Sequence, residues 1–515
     1  MQESRSRPEP VPPAGAPVGR GIGGRYSVIH QQDYTTTMLF RRREKLERSQ
    51  QKCIAVFGLL CCFAVLIALI FSSVDVWGED EGITEENCSS KCRIVLVENI
   101  PEELDLSPVD EGTLPLTVGL HGLLNVAKRS VEIVSPRWTL TSREQHADHF
   151  SASEGQRLFE RLRGLKARRV KLKVATSLSD SAELTTLAAH GAEVRYVNTT
   201  ALTRGHLRSS FWVVDRRHIY IGSASMDWRS LAKMKELGVL LYNCSCLALD
   251  LHRVFSFYWQ LHYKDYVPSI WSKRVTALYS RDDPLLVHLN HTDANVYVST
   301  SPDLFCPKGR TRDVEAIHRV IQEATRFIYV SVTDYLPLVN RSSRGLYWSA
   351  IDEGLREALV LRRVSVRLLV SLWERTHPYT FNFVSSLTSL CLQLMDCNLE
   401  VKFFSADEGQ HRTDEGLNHN KYMVTDNALY IGNLDWVGND FAFNAGTGLV
   451  IKPIDDHLDS GPSILDQMKA AFERDWFSQY AKSLKEVTTQ TGRALKAATL
   501  SRGERGTDTR ERAGE

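Results

Sequence analysis

The hydrophobic pattern of the chain begins with one long apolar run. Residues 53–72, CIAVFGLLCCFAVLIALIFS, contain no charged side chain. Twenty helical residues rise about 1.5 Å each and so cover the ~30 Å hydrocarbon layer of a bilayer. The pattern therefore predicts a transmembrane helix over residues 53–73. A buried globular helix is the alternative, and the charged residues on both sides of the run disfavour it.

Beyond this run, apolar residues at helical spacing twice precede a short buried strand. These residues are Leu120, Leu123, Leu124 and Ala127 before residues 131–135, and Ile317, Val320, Ile321 and Ala324 before residues 327–332. Further segments recur in the same order: 168–177 is similar to 362–371, 192–197 to 399–404, and 211–228 to 422–436. The kept order and spacing indicate an internal duplication. We expect an α/β fold with mixed sheets, whose two halves are related by a pseudo-twofold axis and share one cleft.

Composition adds the boundaries. A chain of 515 residues with 43% hydrophobic and 24% charged residues is mostly globular, which excludes a disordered, collagenous or multi-span protein. The net charge of +1 provides no general field for nucleic acid, so anion binding would need a local site. We predict disordered tails at 1–52 and 484–515, a linker at 74–100, a first half at 101–290 and a second half at 291–483.

Charge and sequons predict the orientation in the membrane. Arg41, Arg42 and Arg43 precede the apolar run, whereas Asp75 and Glu79 follow it. The positive-inside rule then places the N-terminus in the cytosol and the remainder in the lumen or outside the cell, as in a type II protein of the endoplasmic reticulum, Golgi or endolysosomal membranes. The glycosylation sequons all follow the run: Asn87, Asn198, Asn243, Asn290 and Asn340.

Seven of the ten cysteines follow the apolar run, in what would be an oxidising compartment. Because seven is odd, at least one thiol is unpaired or intermolecular. The CxxxC of Cys88 and Cys92 and the CxC of Cys244 and Cys246 could instead bind zinc, but no nearby histidine pair completes a four-ligand set. We predict neither a metal nor a cofactor.

The second repeat ends in a chemically suggestive motif, His419-x-Lys421-x4-Asp426, followed by Tyr-Ile-Gly. Residues i and i+2 of an extended segment point to one side, so His419 and Lys421 would face the same space. An imidazole can attack phosphorus or move a proton, an ammonium can neutralise a phosphate oxygen, and a carboxylate can hold the imidazole tautomer.

This motif resembles the phospholipase D superfamily, and the resemblance covers both repeats over about residues 100–480. It implies a duplicated phospholipase D-like fold in which two such motifs build one site. One histidine forms a phosphohistidine and the other acts as general acid and base.

The first repeat departs from that pattern. Counting back from Asp215, Arg208 occupies the histidine position and Ser210 the lysine position. Arginine stays protonated and neither attacks nor shuttles a proton. His206 lies two residues early, about 6.6 Å along an extended chain, which is too far for the second role.

Positions after the Tyr-Ile-Gly segment of each repeat also differ from the family pattern. Ser225 and Asp435 occupy the places where the family has asparagine, and a carboxylate there disfavours an anion. Lys421, Asn433 and Ser223 are the candidates for phosphate binding.

The short basic tail, the single anchor, GSASMDWRSL and YNCSC together resemble the vertebrate type II membrane phospholipase D group. Its active members are exonucleases for single-stranded nucleic acid, and the SSFWVVD motif looks like that of a member regarded as inactive. The resemblance favours pairing of Cys88 and Cys92 with Cys244 and Cys246 over two local rings.

We therefore expect a pseudoenzyme that binds or scaffolds. The alternative is a weak phosphodiesterase, either a nucleic-acid exonuclease or a phosphatidyl transferase, that uses His419. The membrane is the expected partner, and a phosphate-containing ligand and a homodimer are further hypotheses.

Overall fold

The structure is a computed structural model that describes residues 52, 54–67, 88, 91–108, 112–141, 153–262, 264–267, 274–290, 292–341, 344–392, 394–406, 416–454, 462–487 and 489. The chain divides into two compact units, residues 1–79 and 80–515. In the first, residues 54–67 form a helix with exposed apolar side chains such as Phe57 and Leu60. Among the described residues, no helix combines the length and hydropathy needed to cross a membrane. The rest of the predicted span and the tail before residue 52 lie outside the described residues.

The second unit contains two large sheets and three strand pairs. The strands of the first half are β1 (Arg93–Asn99), β2 (Leu114–Pro115), β3 (Ser130–Ser135), β4 (Trp138–Thr139), β5 (Lys171–Ser177), β6 (Glu193–Val197), β7 (Phe211–Val214), β8 (His218–Gly222), β9 (Met226–Asp227) and β10 (Glu236–Tyr242). Those that follow are β11 (Leu285–Leu289), β12 (Thr292–Ser301), β13 (Thr311–Arg312), β14 (Phe327–Val332), β15 (Tyr335–Leu336), β16 (Leu338–Arg341), β17 (Arg344–Tyr347), β18 (Ser365–Ser371), β19 (Leu399–Phe404), β20 (Tyr422–Thr425), β21 (Leu429–Ile431), β22 (Trp436–Val437), β23 (Gly446–Pro453) and β24 (Ala481–Ser483).

Helices cover the sheets. They are α1 (Leu116–Val126), α2 (Ser153–Arg163), α3 (Ala182–Ala189), α4 (Thr199–Thr203), α5 (Trp228–Ala232), α6 (Ser245–Gln260), α7 (Asp313–Glu323), α8 (Ala350–Val360), α9 (Pro378–Leu390), α10 (Gly438–Phe443) and α11 (Ile464–Trp476), with single 3₁₀ turns at Gly164–Arg168 and Asp303–Phe305. The apolar spacing that predicted helices falls on α1 and α7. Their stripes, including Leu120 and Ile317, are fully buried.

The strand orders of the two sheets confirm the duplication. The first sheet runs β2-β1-β10-β8-β7-β3-β5-β6, and the second contains the equivalent path β13-β12-β23-β21-β20-β14-β18-β19. In both paths the last three strands are parallel, whereas the hairpins β7-β8 and β20-β21 are antiparallel. Both sheets are therefore mixed, as predicted.

A repeated contact fixes the last helix of each half against its sheet. Arg195 of β6 donates a hydrogen bond to the carbonyl of Trp259, 2.8 Å away, at the end of α6. Lys402 of β19 makes the same bond, also 2.8 Å, to the carbonyl of Trp476 at the end of α11. A cation at a helix C-terminus satisfies an unpaired carbonyl and complements the helix dipole. Each cation also lies over the indole it caps.

The halves share a hydrophobic core. One cluster combines residues of the first sheet, such as Phe211 and Val239, with residues of the second, such as Val298 and Leu449. Separate clusters lie under the outer helices of the second and first halves. The two halves therefore pack as one body whose cleft lies between equivalent faces.

The structure places the boundaries differently from the sequence prediction in three places. β1 begins at Arg93, inside the segment predicted to be a linker, and pairs with β10. β11 precedes residue 291 but pairs with β12 of the second sheet. Residues 484–487, predicted to be disordered, are helical.

Disulfides close the first half. Cys88 pairs with Cys246, and Cys92 pairs with Cys244, which confirms the predicted grouping and resolves the partners. A third bond joins Cys391 to Cys397 and was not predicted. Cys306 is a free thiol, in keeping with the odd count.

Candidate functional site

Two short bridges between the halves establish which positions are equivalent. The N–H of His419 donates to the carbonyl of Lys235 at 2.8 Å, and the N–H of Arg208 donates to the carbonyl of Ala445 at 2.8 Å. Isolated bridges pair Lys235 with Asn418 and Leu207 with Ala445 in the same way. Arg208 is therefore the counterpart of His419, and Ser210 is the counterpart of Lys421, as the sequence spacing predicted.

A cavity of about 360 Å³ lies at this junction, within the size range of small-ligand sites. His419 and Lys421 both line it, as do Arg208, Ser223, Asn433 and Asp435. The two motif residues lie in extended chain immediately before β20, rather than inside a strand, yet both reach the same space. Residues of both halves thus form one site.

Glu236 orients His419 across the junction between the halves. The His419 Nδ1 atom is 2.9 Å from Oε1 and 3.0 Å from Oε2 of Glu236, whose side chain is fully buried. A carboxylate at Nδ1 holds the proton there, so Nε2 is the nitrogen available to a ligand. Glu236 lies outside the sequence motif of His419, because it comes from the opposite repeat. Its equivalent in the second half is Gly446, which has no side chain to support position 208.

Lys421 is held beside His419. Its ammonium donates to the Thr333 hydroxyl at 3.0 Å and to the His419 carbonyl at 3.1 Å, and it lies 3.6 Å from Oδ2 of Asp435. The side chain is only 5% exposed. Its charge is therefore partly compensated before any ligand arrives.

Asp426 and Asp215 do not belong to the cavity, which corrects the role predicted for the motif carboxylate. Asp426 accepts hydrogen bonds from the N–H groups of Thr325 and Arg326, both at 3.1 Å, at the start of β14. Asp215 accepts from Lys128, Arg129 and Ser130 at the start of β3. Each aspartate therefore ties the end of the strand after its motif, β20 or β7, to the start of the neighbouring strand, β14 or β3.

The donors around Asp426 also set its acidity. Burial alone would raise the pKa of Asp426, but the Thr325 hydroxyl and the backbone N–H groups lower it below the usual value. The carboxylate is thus ionised at neutral pH, and its oxygens are occupied by hydrogen bonds from Thr325 and Arg326.

The first motif offers no second proton-transfer group. Arg208 lines the cavity, whereas His206 is exposed and is not among the lining residues. Ser210 is buried and its hydroxyl donates to the carbonyl of Ala224. Of the described residues at the two motifs, only His419 can accept a proton at neutral pH inside the cavity.

Asn433 and Ser223 line the cavity but are engaged with the backbone. The Asn433 amide donates to the carbonyls of Gly222 at 2.7 Å and Ser210 at 3.3 Å. The Ser223 hydroxyl donates to the Leu237 carbonyl at 3.2 Å and accepts from the Leu237 N–H at 3.1 Å. Both residues line the cavity with groups that are already hydrogen-bonded, and Lys421 and Arg208 remain as the cationic donors for an anion.

The second half contributes three carboxylates to the same cavity: Asp334, Asp435 and Asp440. Burial, reinforced by the charge of Asp435, raises the pKa of Asp334 to about 7 and the pKa of Asp440 to about 7. The equivalent first-half positions are occupied by Arg137, Ser225 and Ser230. The sequence motif includes only Asp435; Asp334 enters the cavity from the loop after β14, and Asp440 from the short helix α10.

The donor set does not resemble a metal site. Across the described ranges, no three His, Cys, Asp or Glu side chains converge in a way that could hold a metal ion. The charges of the cavity are instead mixed: both halves supply cations, the second half supplies three carboxylates, and the first half supplies Asp227.

Comparisons with known proteins agree with this architecture. The family described as "PLD3/4, PLD-like domain" matches residues 108–409. Among solved structures, phosphatidylserine synthase of Haemophilus influenzae Rd KW20 has a similar fold, with a TM-score of 0.50, 12% identity, and coverage of 79% of this chain and 94% of that one.

Curated relatives cover nearly the whole chain. "Inactive phospholipase D5" of Mus musculus and of Homo sapiens are each 51% identical over 490 residues, which is 93% of this chain and 90% of theirs. "5'-3' exonuclease PLD3" of Bos taurus is 38% identical over 451 residues, covering 86% of this chain and 91% of its own.

Proposed function

Because this chain belongs to the PLD3/4-like phospholipase D family, we propose that it is a catalytically inactive phospholipase D homologue that binds a phosphate group without cleaving it. The observation that carries the proposal is the pairing of Arg208 with His419 at equivalent positions of one cavity. Two-step phosphoryl transfer needs a nucleophile and a separate proton donor, and a guanidinium supplies neither. The names of the relatives with 51% identity support the same conclusion.

Phosphate binding follows from the groups that remain. The ammonium of Lys421 and the guanidinium of Arg208 give the cavity two cations for an anion, and Nε2 of His419 adds a third donor when the imidazole is protonated. Charge-assisted hydrogen bonds of this kind are stronger than neutral ones. Calorimetry of the full-length chain with inorganic phosphate tests the proposal: we expect binding that weakens at least tenfold in Lys421→Met, and absence of binding would refute it.

A second candidate function is residual phosphodiesterase activity, and one observation favours it. The His419–Glu236 pair has the geometry of an oriented nucleophile or base. Cleavage by this pair would lack the second histidine of the family and would have to take a proton from water or from a cavity carboxyl outside the motif, which forfeits orders of magnitude in rate. The inactive form is therefore the primary proposal.

We also propose a type II membrane topology with glycans on the folded unit. The apolar run and the charge asymmetry support the anchor, and the exposed sequon residues Asn243 and Asn340 support glycosylation. Asn198 is half-buried, and Asn87 lies outside the described residues. Asn290 is less suited, because its amide nitrogen donates to the carbonyl of Ile94 at 3.1 Å.

Protease protection of an N-terminal tag in sealed vesicles, combined with glycosidase digestion, tests the topology. We expect the protease to remove the tag and the sealed membrane to protect the glycans from the glycosidase. A tag and glycans that lie on the same side of the membrane would refute the proposal. A homodimer stays a hypothesis that sedimentation of the full-length chain can test.

A further inference from the structure

The carboxylates of the cavity retain unused acceptors. Oδ1 of Asp334 accepts from the Trp373 indole at 3.1 Å, and Oδ1 of Asp440 accepts from the Asn444 amide at 2.8 Å. Within the described residues, no hydrogen-bond donor reaches Oδ2 of Asp334, whereas the Asp440 carboxyl also accepts from the backbone at Asp435. Asp435 differs, since Oδ1 accepts from the N–H groups of Thr333 and Asp334 and Oδ2 lies beside Lys421.

An anion in this cavity would therefore meet acceptors as well as donors. Lys421 and Arg208 suit ionised oxygens, whereas Asp334 and Asp440 suit an oxygen that carries a hydrogen. A site built to exchange hydrogen bonds rejects an analogue that lacks the matching group, because its buried polar atoms are then left unpaired.

Phosphate chemistry supplies such a hydrogen in only one class of ligand. Inorganic phosphate and phosphate monoesters have a titratable P–OH; because the pKa of a monoester is about 6, its protonated form is a minor species at pH 7.5 that a carboxylate acceptor would select. An internal phosphodiester and sulfate are fully ionised and have no proton to donate near neutral pH. Against a carboxylate they gain no hydrogen bond and experience charge repulsion.

We infer that the cavity recognises a protonated phosphate, namely inorganic phosphate or a terminal phosphate monoester, in preference to an internal phosphodiester or sulfate. This inference rests on the proposed phosphate-binding function and adds the substrate class. It would make the ligand of this chain different from the diester on which a phospholipase D reaction operates. The two halves contribute unequally: both aspartates belong to the second half, whereas the first half adds Arg137, Arg208 and the carboxylate of Asp227, which lies 3.7 Å from Arg137.

Calorimetry of the full-length chain at pH 7.5 with inorganic phosphate, sulfate and dimethyl phosphate tests the inference. We expect phosphate to bind at least tenfold more tightly than either of the other anions. In the double variant Asp334→Asn with Asp440→Asn, sulfate should bind more tightly and the phosphate-to-sulfate ratio should fall towards one. Asp282→Asn is the matched control, because its side chain is 79% exposed and lies outside the cavity.

The outcomes separate the two proposals. Equal affinity of the wild type for phosphate and sulfate would overturn the inference and leave phosphate binding intact. A ratio that the double variant does not change would also overturn it, provided that thermal unfolding shows the variant to be folded. If the wild type bound none of the three anions, both proposals would fail.

Discussion

Glu236 of the first half holds His419 of the second half, with its two carboxylate oxygens 2.9 and 3.0 Å from Nδ1. The retained histidine therefore depends on both halves for its orientation. The equivalent pair, a first-half histidine held by a second-half carboxylate, is absent. Arg208 occupies the histidine position, and Gly446 occupies the carboxylate position. Half of a symmetric site has been kept, including its cross-half support.

The pair predicts the effect of Glu236→Gln. Loss of a charge-assisted hydrogen bond costs roughly 1.5–3 kcal/mol, and we expect phosphate affinity to fall about tenfold because Nε2 is no longer held toward the cavity. Glu132→Gln is the matched control. Glu132 forms a 2.6 Å hydrogen bond with the buried His252, and this pair lies outside the cavity. Equal loss of affinity in both variants, measured by calorimetry, would contradict the role of Glu236.

Asp426→Asn should affect stability rather than binding. Its carboxylate accepts several hydrogen bonds at the start of β14, so we expect the free energy of unfolding to fall by about 1–3 kcal/mol while phosphate affinity stays the same. Because the folded pKa of Asp426 is lowered, its contribution is present at neutral pH and is lost as the pH falls through that pKa. Denaturant titrations at neutral and acid pH check both points. A large loss of phosphate affinity in Asp426→Asn would show that Asp426 contributes to the binding site, contrary to this prediction.

Sulfate binding should depend on pH through Asp334 and Asp440. Their raised pKa values of about 7 mean that both carboxyls are largely neutral at pH 5.5 and ionised at pH 8.5. Sulfate keeps its charge throughout, so a change in its affinity reports groups on the protein. We expect at least tenfold tighter binding at pH 5.5, and a flatter profile in Asp334→Asn with Asp440→Asn. His377 and Arg375 also line the cavity, and a pH response that persists in the double variant would assign it to His377 or His419 instead.

Restoring the first motif tests how much of the site is still organised. Arg208→His with Ser210→Lys returns both missing groups, but Asp435 still opposes an anion beside Lys421. We expect slow cleavage of a single-stranded oligonucleotide by the double variant and a rise of at least tenfold when Asp435→Asn is added. If the triple variant were no faster than the double, the loss of activity would lie elsewhere, for example in the unsupported position opposite Gly446.

The long-range disulfides should contribute more stability than the local one. In the loop-entropy account, closing a loop of about 150 residues stabilises by about 5 kcal/mol and closing one of about 6 residues by about 2 kcal/mol. Cys92–Cys244 spans 152 residues and Cys391–Cys397 spans 6. Paired alanine substitutions, compared by denaturant unfolding, should show the larger loss for the long-range pair. Equal losses would indicate that local strain or packing dominates.

The sequence predicted those features that repeat or that are periodic. The apolar stripes of α1 and α7, the mixed sheets and the register of Arg208 against His419 follow from local spacing, which the fold preserves. Glu236, Asp334 and Asp440 did not follow from it, because Glu236 comes from the opposite half and the two aspartates lie outside the motif, in a loop and in the short helix α10. The role of Asp426 was wrong for a related reason: four residues of extended chain carry it far from His419. The anchor at 53–73 stays a prediction.

Turnover by the full-length wild type is the most direct test of the central claim. The chain and its His419→Ala variant should be incubated with single-stranded DNA, single-stranded RNA and phosphatidylcholine, and product formation compared. We predict no difference between the two proteins for any substrate, because Arg208 cannot supply the second proton-transfer group. Cleavage by the wild type that His419→Ala abolishes would contradict the assignment of an inactive phospholipase D homologue.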